Sequence, residues 1–299
     1  MIRSLHLTNF RSLANFKLQK LGRVNLLVGT NNSGKTSILE AIELLLAHGD
    51  PRNIWTALSR RGERIWEDED RRSALEIDLC RLFHGYSLDL GSSFHLQAKC
   101  DDQDQILTSK MVEAEFPQDE LPLIEQESLF GSSALKLTWQ SGTREEDTTL
   151  PITDRGGLSV DTLRRRIVRR DEPRDPVAFI TTSSFGADEV ASLLSRVILN
   201  PEEGLLLRAL RIIDPTIERL APVSNMRSTN LSSQILSKGG VVIKCAGVDK
   251  RLPIGTMGDG IWRLLALTLA LVRASGGVLL VDEIDTGLHY TVMEKMWQL

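Results

Sequence analysis

The chain has 299 residues, 41% of them hydrophobic and 25% charged, and a formal net charge of -4. That balance suits a soluble globular protein of one or two domains with an ample core, and it excludes a globally basic nucleic-acid binder, leaving only local patches for such contact. The three cysteines, Cys80, Cys100 and Cys245, are far apart and form no C-x-x-C pair. They argue against a disulfide framework and for a reducing, cytoplasmic setting.

The first seven residues, Met-Ile-Arg-Ser-Leu-His-Leu, lack the apolar core of a signal peptide. Alternation in 2–7 and 16–21 predicts two or three strands ahead of residue 29. Residues 24–28 (Val-Asn-Leu-Leu-Val) are apolar enough for a buried strand. They lead into Gly29-Thr30-Asn31-Asn32-Ser33-Gly34-Lys35-Thr36, which fits G-x-x-x-x-G-K-[ST]. The run from Ser37 to Leu46 then has helical spacing and should end near His48-Gly49-Asp50-Pro51. Strand, glycine loop and helix together make a phosphate cradle. Its amides and helix dipole face an anion, Lys35 reaches the β- and γ-phosphates, and the Thr36 hydroxyl binds Mg²⁺.

Residues 52–72 are strongly charged and read as a solvated surface segment. Short alternating runs in 73–150, such as 74–79 and 134–139, predict an antiparallel β-rich insertion. Residues 158–235 look mostly helical. Asn200-Pro201-Glu202-Glu203 carries a cap, a proline and first-turn acids, so a helix is expected from there to Ile213. Arg164, Arg165, Arg166, Arg169 and Arg170 form a basic cluster that could contact the phosphates of duplex DNA, or pair with Asp161, Asp171, Glu172 and Asp175 as a solvated helix.

Residues 241–245 and 250–254 read as strands around a turn. The glycine-rich run Gly255-Thr256-Met257-Gly258-Asp259-Gly260 then opens an apolar helix over 261–274. The longest apolar stretch, 261–272, holds Arg263 and is too short to span a bilayer, so no membrane is expected. Residues 277–281 form an apolar strand ending in Asp282 and Glu283. Asp282 is placed to hold Mg²⁺ and Glu283 to orient or deprotonate an attacking water.

Taken together, the chain resembles the ABC-type ATPases of the RecF/SMC/OLD group. The residues are Asn9-Phe10-Arg11-Ser12, the glycine loop at 29–36, Thr-Met-Gly-Asp-Gly at 256–260, and Val-Asp-Glu-Ile-Asp-Thr-Gly-Leu-His at 281–289. They cover about the first 50 and last 60 residues, and the last run is most like the OLD branch. The resemblance implies an α/β P-loop NTPase with an ABC-ATPase-like core, split between 1–50 and 236–299. A charged and β-rich insertion over 51–150 and a mostly helical one over 151–235 lie between. It implies Gly29, Asn31, Asn32, Ser33, Gly34, Lys35, Thr36 and Ser37 as the ATP cradle with Arg11 near the nucleotide. It makes Thr256 and Gly258 signature residues acting across an ATP-linked homodimer, and it puts Asp285 to His289 in the D-loop, where His289 senses the neighbouring site or packs.

The signature is not Leu-Ser-Gly-Gly-Gln, so a transport subunit is not expected. Gln97 is the one candidate for a Q-loop glutamine, and it falls in a β-rich stretch. The family continues past the last helix into a strand ending in a switch histidine, and OLD proteins into a Toprim nuclease domain. Neither follows within these residues, so weak hydrolysis is expected. Three functions stay open: a DNA-transaction or phage-defence ATPase, a protein switch controlling a partner nuclease or toxin, and a non-hydrolysing nucleotide-binding scaffold.

Overall fold

The computed structural model describes residues 1–65, 75–114, 133–166, 176–181, 185–223 and 240–298. The chain forms two compact units, Met1–Arg174 and Asp175–Leu299.

The first unit contains β1 (Ile2–Phe10), β2 (Leu13–Gln19), α1 (Lys35–Leu46), α2 (Pro51–Arg60), β3 (Glu76–Asp78), β4 (Ser93–Cys100), β5 (Gln105–Glu113), β6 (Ser133–Ser141), β7 (Arg144–Pro151), β8 (Gly157–Ser159) and α3 (Val160–Arg166). Six strands make one antiparallel sheet in the order β2-β1-β4-β5-β6-β7, and β3 pairs with β8. Leu7 lies opposite Phe16 on one side and Leu96 on the other, and Leu107 lies opposite Trp139. Alternate residues therefore share an apolar face, the period-2 pattern of a sheet covered on one side. That face carries α1, whose Ile38, Ala41, Leu44 and Leu45 are buried with Leu5, Leu7, Phe94 and Leu96. Phe10 and Phe83 meet Phe94 edge-on, at 5.2 and 5.3 Å between ring centres.

The helix after the glycine loop ends where expected, with His48 and Gly49 at positive φ. Asp50-Pro51 does more than stop it: the Asp50 carboxylate accepts from the Arg52 amide at 2.9 Å and opens α2. The antiparallel ladder expected in 73–150 is present, and it is continuous with the N-terminal strands because β1 pairs with β4.

The strand expected at 24–28 is not formed. Val24, Leu26 and Val28 are exposed, at 73%, 67% and 85%. A strand exists only through a ladder, and 24–28 pairs with no strand among the described residues.

The second unit contains β9 (Val177–Ile180), α4 (Ala187–Val197), α5 (Glu203–Leu210), β10 (Ile217–Pro222), β11 (Val241–Cys245), β12 (Leu252–Pro253), α6 (Asp259–Arg273), β13 (Val278–Val281) and α7 (Tyr290–Met296). β13 and β9 are parallel, with Val281 opposite Ile180, and β10-β11-β12 form an antiparallel sheet. Every residue from Ile261 to Ala270 in α6 is buried. A helix apolar all round belongs in a core, and α6 packs among Val190 and Leu194 of α4, Leu206 and Leu210 of α5, and Val241 and Ile243 of β11.

Two expectations here need correction. The stretch described within 158–223 mixes three helices with strands β8, β9 and β10. The helix expected from Asn200 starts at Glu203 and ends at Leu210, because the Asn200 side-chain amide donates to the Arg196 carbonyl at the end of α4. The Glu203 carboxylate reaches back to the Leu199 amide at 3.0 Å instead.

Candidate nucleotide-binding elements

The glycine loop is built by backbone geometry. Asn32 and Gly34 have φ of 62° and 89°, which curls the chain so that the Ser33 amide donates to the Thr30 carbonyl at 3.3 Å. A Cβ at Gly29 would sit 2.7 Å from Ser33 Oγ, and one at Gly34 would sit 3.0 Å from Leu13 Cδ2. Only glycine fits both places without displacing the loop. Gly34 caps α1 with no side-chain hydrogen bond, so the first-turn amides are not taken up by a capping side chain. The Lys35 ammonium folds inward and donates to the Gly29 and Thr30 carbonyls, both at 2.8 Å. Asn31 and Asn32 are exposed, Thr36 is half-buried, and Ser37 is buried, with its hydroxyl 3.4 Å from Arg61 Nη2. A cradle of this kind, with a cation at its rim and a hydroxyl beside it, fits a polyphosphate and the hard-oxygen coordination of Mg²⁺.

Behind the loop, α1 buries two carboxylates. Glu40 is 1% exposed, with Arg11 Nε 2.7 Å from one oxygen and Arg61 Nε 2.8 Å from the other. Arg11 Nη1 donates to both oxygens of Glu63, at 2.9 and 3.0 Å. Glu43 is held by Arg60, and desolvation raises its pKa against that pairing. The structure thus places Arg11 as a buried brace between the β1–β2 turn and α1. Arg60 and Arg61, read from sequence as part of a solvated segment, are tied to the core. The only sequence signal for this network was two acids three apart inside an apolar helix.

In the second unit β13 delivers Asp282 and Glu283 at its C-terminal end, and the Asp282 amide extends the ladder to the Ile180 carbonyl at 2.8 Å. Glu283 is exposed and has φ of 49°, and Thr286 Oγ1 donates to its carboxylate at 3.2 Å. The Arg263 guanidinium, 3% exposed, donates to the Thr181, Asp282 and Glu283 carbonyls. Burial lowers the Arg263 pKa, and the nearby Asp282 and Glu283 carboxylates raise it. From sequence Arg263 was only an interruption in an apolar run.

Gly258, at φ 86° and ψ 173°, is the N-cap of α6, and Thr256 Oγ1 donates to the Pro253 carbonyl at 2.7 Å. A Cβ at Gly260 would lie 3.3 Å from the Gly287 carbonyl, so the start of α6 touches the 283–287 turn. His289 caps α7 by accepting from the Thr291 amide and lies 4.3 Å from the Tyr290 ring. Gln97 sits within β4 opposite His6 and Ile106. Arg164 is exposed and 3.7 Å from Asp161, and α3 ends at Arg166. Arg169 and Arg170 lie outside the described residues. Among the described residues no helix is long and apolar enough to cross a membrane.

Comparison with known proteins bears on both halves. Residues 1–148 match the family model "AAA ATPase domain", and residues 149–296 match "AAA domain, putative AbiEii toxin, Type IV TA system". The ATP/GTP phosphatase of Helicobacter pylori is 21% identical over 99% of this chain and 79% of its own length. An uncharacterized protein of Methanocaldococcus jannaschii is 47% identical over 20% of this chain, a match that spans only 27% of that relative. The DNA replication and repair protein RecF of Shewanella loihica is 45% identical over 22% of this chain and 17% of its own. Among solved structures, RecF with ATP aligns over 98% of this chain and 88% of its own at 14% identity, with a TM-score of 0.34.

Proposed function

We propose that the chain, whose two halves each match an AAA domain model, is a P-loop ATPase that binds and hydrolyses ATP, and that its ATP state pairs two copies in a DNA transaction or in phage defence. The observation that carries the reading is the glycine loop, with its positive-φ turn, its α1 start without a capping side chain and an inward Lys35.

In the proposed reaction the amides of 29–37 and the Lys35 ammonium hold the phosphates. Thr36 and Asp282 are the residues that would hold Mg²⁺, which supplies charge neutralisation at the β- and γ-phosphates. Glu283 orients the attacking water and takes its proton. Thr256 and Gly258 of a second copy face the γ-phosphate. Arg11 acts from beneath, through Glu40, by fixing the helix that the loop leads into. Support for a DNA role comes from the relatives named as DNA replication and repair proteins, and Arg164, Arg165 and Arg166 are the candidate phosphate contacts.

One observation favours a second reading. The model matching 149–296 is described as a putative toxin of a toxin–antitoxin system, which supports an ATP-gated protein switch acting on a partner effector. Steady-state ATP hydrolysis with and without linear duplex DNA, with Glu283→Gln as the blank, separates the two. Stimulation by DNA is the expected result. Turnover that ignores DNA favours the switch, and no turnover above the blank refutes the ATPase.

A further inference from the structure

We propose that Arg263 is a positioning residue that sets the shape of the turn carrying Asp282 and Glu283 and couples that turn to the helix beginning after Gly258. The proposal rests on the ATPase reading for its kinetic consequence and on geometry alone for its structural one.

A lone arginine in a helix whose neighbours from Ile261 to Ala270 are all buried is costly to desolvate. It persists only where its terminal donors are met by something the fold needs held. Here Nη1 donates to the Thr181 carbonyl, and Nη2 donates to the Asp282 and Glu283 carbonyls at 3.2 and 3.1 Å. Thr181 follows β9 and Asp282 follows β13, and these two strands are parallel neighbours. The guanidinium fork therefore ties together the ends of both strands.

The next residue gives the fork its importance. Glu283 has φ of 49°, a conformation that a residue with a Cβ adopts only when its surroundings impose it. Arg263 grips the carbonyls of Asp282 and of Glu283 itself, so it fixes the two peptide groups that follow these residues. That aims the Glu283 carboxylate, which Thr286 then steadies at 3.2 Å. The same arginine opens the second turn of α6, and a Cβ at Gly287 would lie 3.9 Å from Arg263 Cβ and Cγ. A shift of the 256–260 loop is thereby passed to the acidic turn through this side chain, alongside the Gly260–Gly287 backbone contact. Lysine offers a point charge and cannot bridge both strand ends, whereas methionine keeps the stem and loses every donor.

The test compares Arg263→Met and Arg263→Lys with the wild type in two readouts. The first is steady-state ATP hydrolysis, with Glu283→Gln as the blank. The second is hydrogen exchange of the amides in 281–288, which needs no turnover. For Arg263→Met, kcat should fall about tenfold or more with KM changed less than about twofold, because phosphate binding is left alone. Exchange in 281–288 should rise about tenfold or more as the local opening becomes easier. Arg263→Lys should recover part of both, and it serves as the test if the methionine variant does not fold. Wild-type kcat or wild-type exchange in the substituted protein overturns the proposal. If the wild type itself shows no turnover above the blank, the ATPase reading fails, and the positioning role stands or falls on the exchange result.

Discussion

The two helices that follow glycine loops bury charge in opposite ways. α1 buries acids, Glu40 and Glu43, and meets them with the guanidinium groups of Arg11, Arg61 and Arg60. α6 buries a base, Arg263, and meets it with three backbone carbonyls. The first arrangement neutralises charge by charge, fixing a helix and leaving its loop free to receive an anion. The second spends the guanidinium's donors on peptide carbonyls, beside the Asp282 and Glu283 carboxylates, and what it fixes is the path of the chain itself. A phosphate cradle needs donors that can turn from their own loop to an anion, whereas a water-activating carboxylate needs a rigid aim.

The largest effect is expected where α1 loses its buried acid. Glu40→Ala takes the nearer carboxylate from buried Arg11, which keeps Glu63, and unpairs the half-buried Arg61, and it should lower unfolding free energy by about 3 kcal/mol, read from the denaturant midpoint. A loss below about 1 kcal/mol, the range of an exposed pair, would show that the network is only a surface decoration. Lys35→Ala comes next and tests the cradle side of the contrast, where the ammonium's partners belong to the loop itself. It should weaken ATP binding by about a hundredfold or more, because a charge-assisted contact to phosphate is worth up to about 3 kcal/mol. The folding midpoint should hardly move, since Lys35 bonds only to its own loop. Normal ATP affinity in that variant would remove the glycine loop from the site.

How much of this contrast was legible in the sequence depends on range. The glycine loop, α1, α6 and β13 were all readable, because each is specified by residues within a dozen positions: positive-φ glycines, apolar periodicity and a capping turn. The strand at 24–28 was misread because apolar composition does not specify a ladder partner, and none of the described strands pairs with it. Arg60 and Arg61 were misread for the same kind of reason. A charge run looks solvated until Glu40 and Glu43, about 20 residues earlier, are seen to face it. The Asn200 cap failed because its amide had a nearer use at the end of α4. Arg263 carried a signal, a charge alone in an apolar run, but its acceptors are backbone carbonyls, which no side-chain pattern encodes.

A smaller effect tests how α6 is entered. Gly258 has φ 86° and ψ 173°, a region almost confined to glycine, and a Cβ there would meet no atom within 4 Å. Gly258→Ala should therefore cost about 1–3 kcal/mol from backbone strain alone. At Gly34 the same change adds a contact to Leu13 at 3.0 Å. Equal stability of Gly258→Ala and wild type would mean that the entry to α6 relaxes freely, and the rigidity assigned to the second helix would be lost.

The smallest effect follows from the two kinds of buried charge. Arginine does not titrate in the range where proteins fold, so the Arg263 anchor ignores pH. Glu43 does titrate, and desolvation, reinforced by Glu40, raises its pKa above the ordinary 4.5 although Arg60 pulls it down. A carboxyl with a raised folded-state pKa keeps its proton longer in the folded chain than in the unfolded one. Its contribution to stability is complete below about pH 4.5 and is lost as pH rises through the folded value. Glu43→Gln removes that titration. The difference in unfolding free energy between wild type and variant should therefore drift against the wild type as pH rises from about 4.5 to 7. Denaturant curves at several pH values, taken as that difference, cancel the other titrating groups. A drift of the opposite sign would mean that Arg60 outweighs desolvation, which would make the acids of α1 as firmly compensated as the arginine of α6.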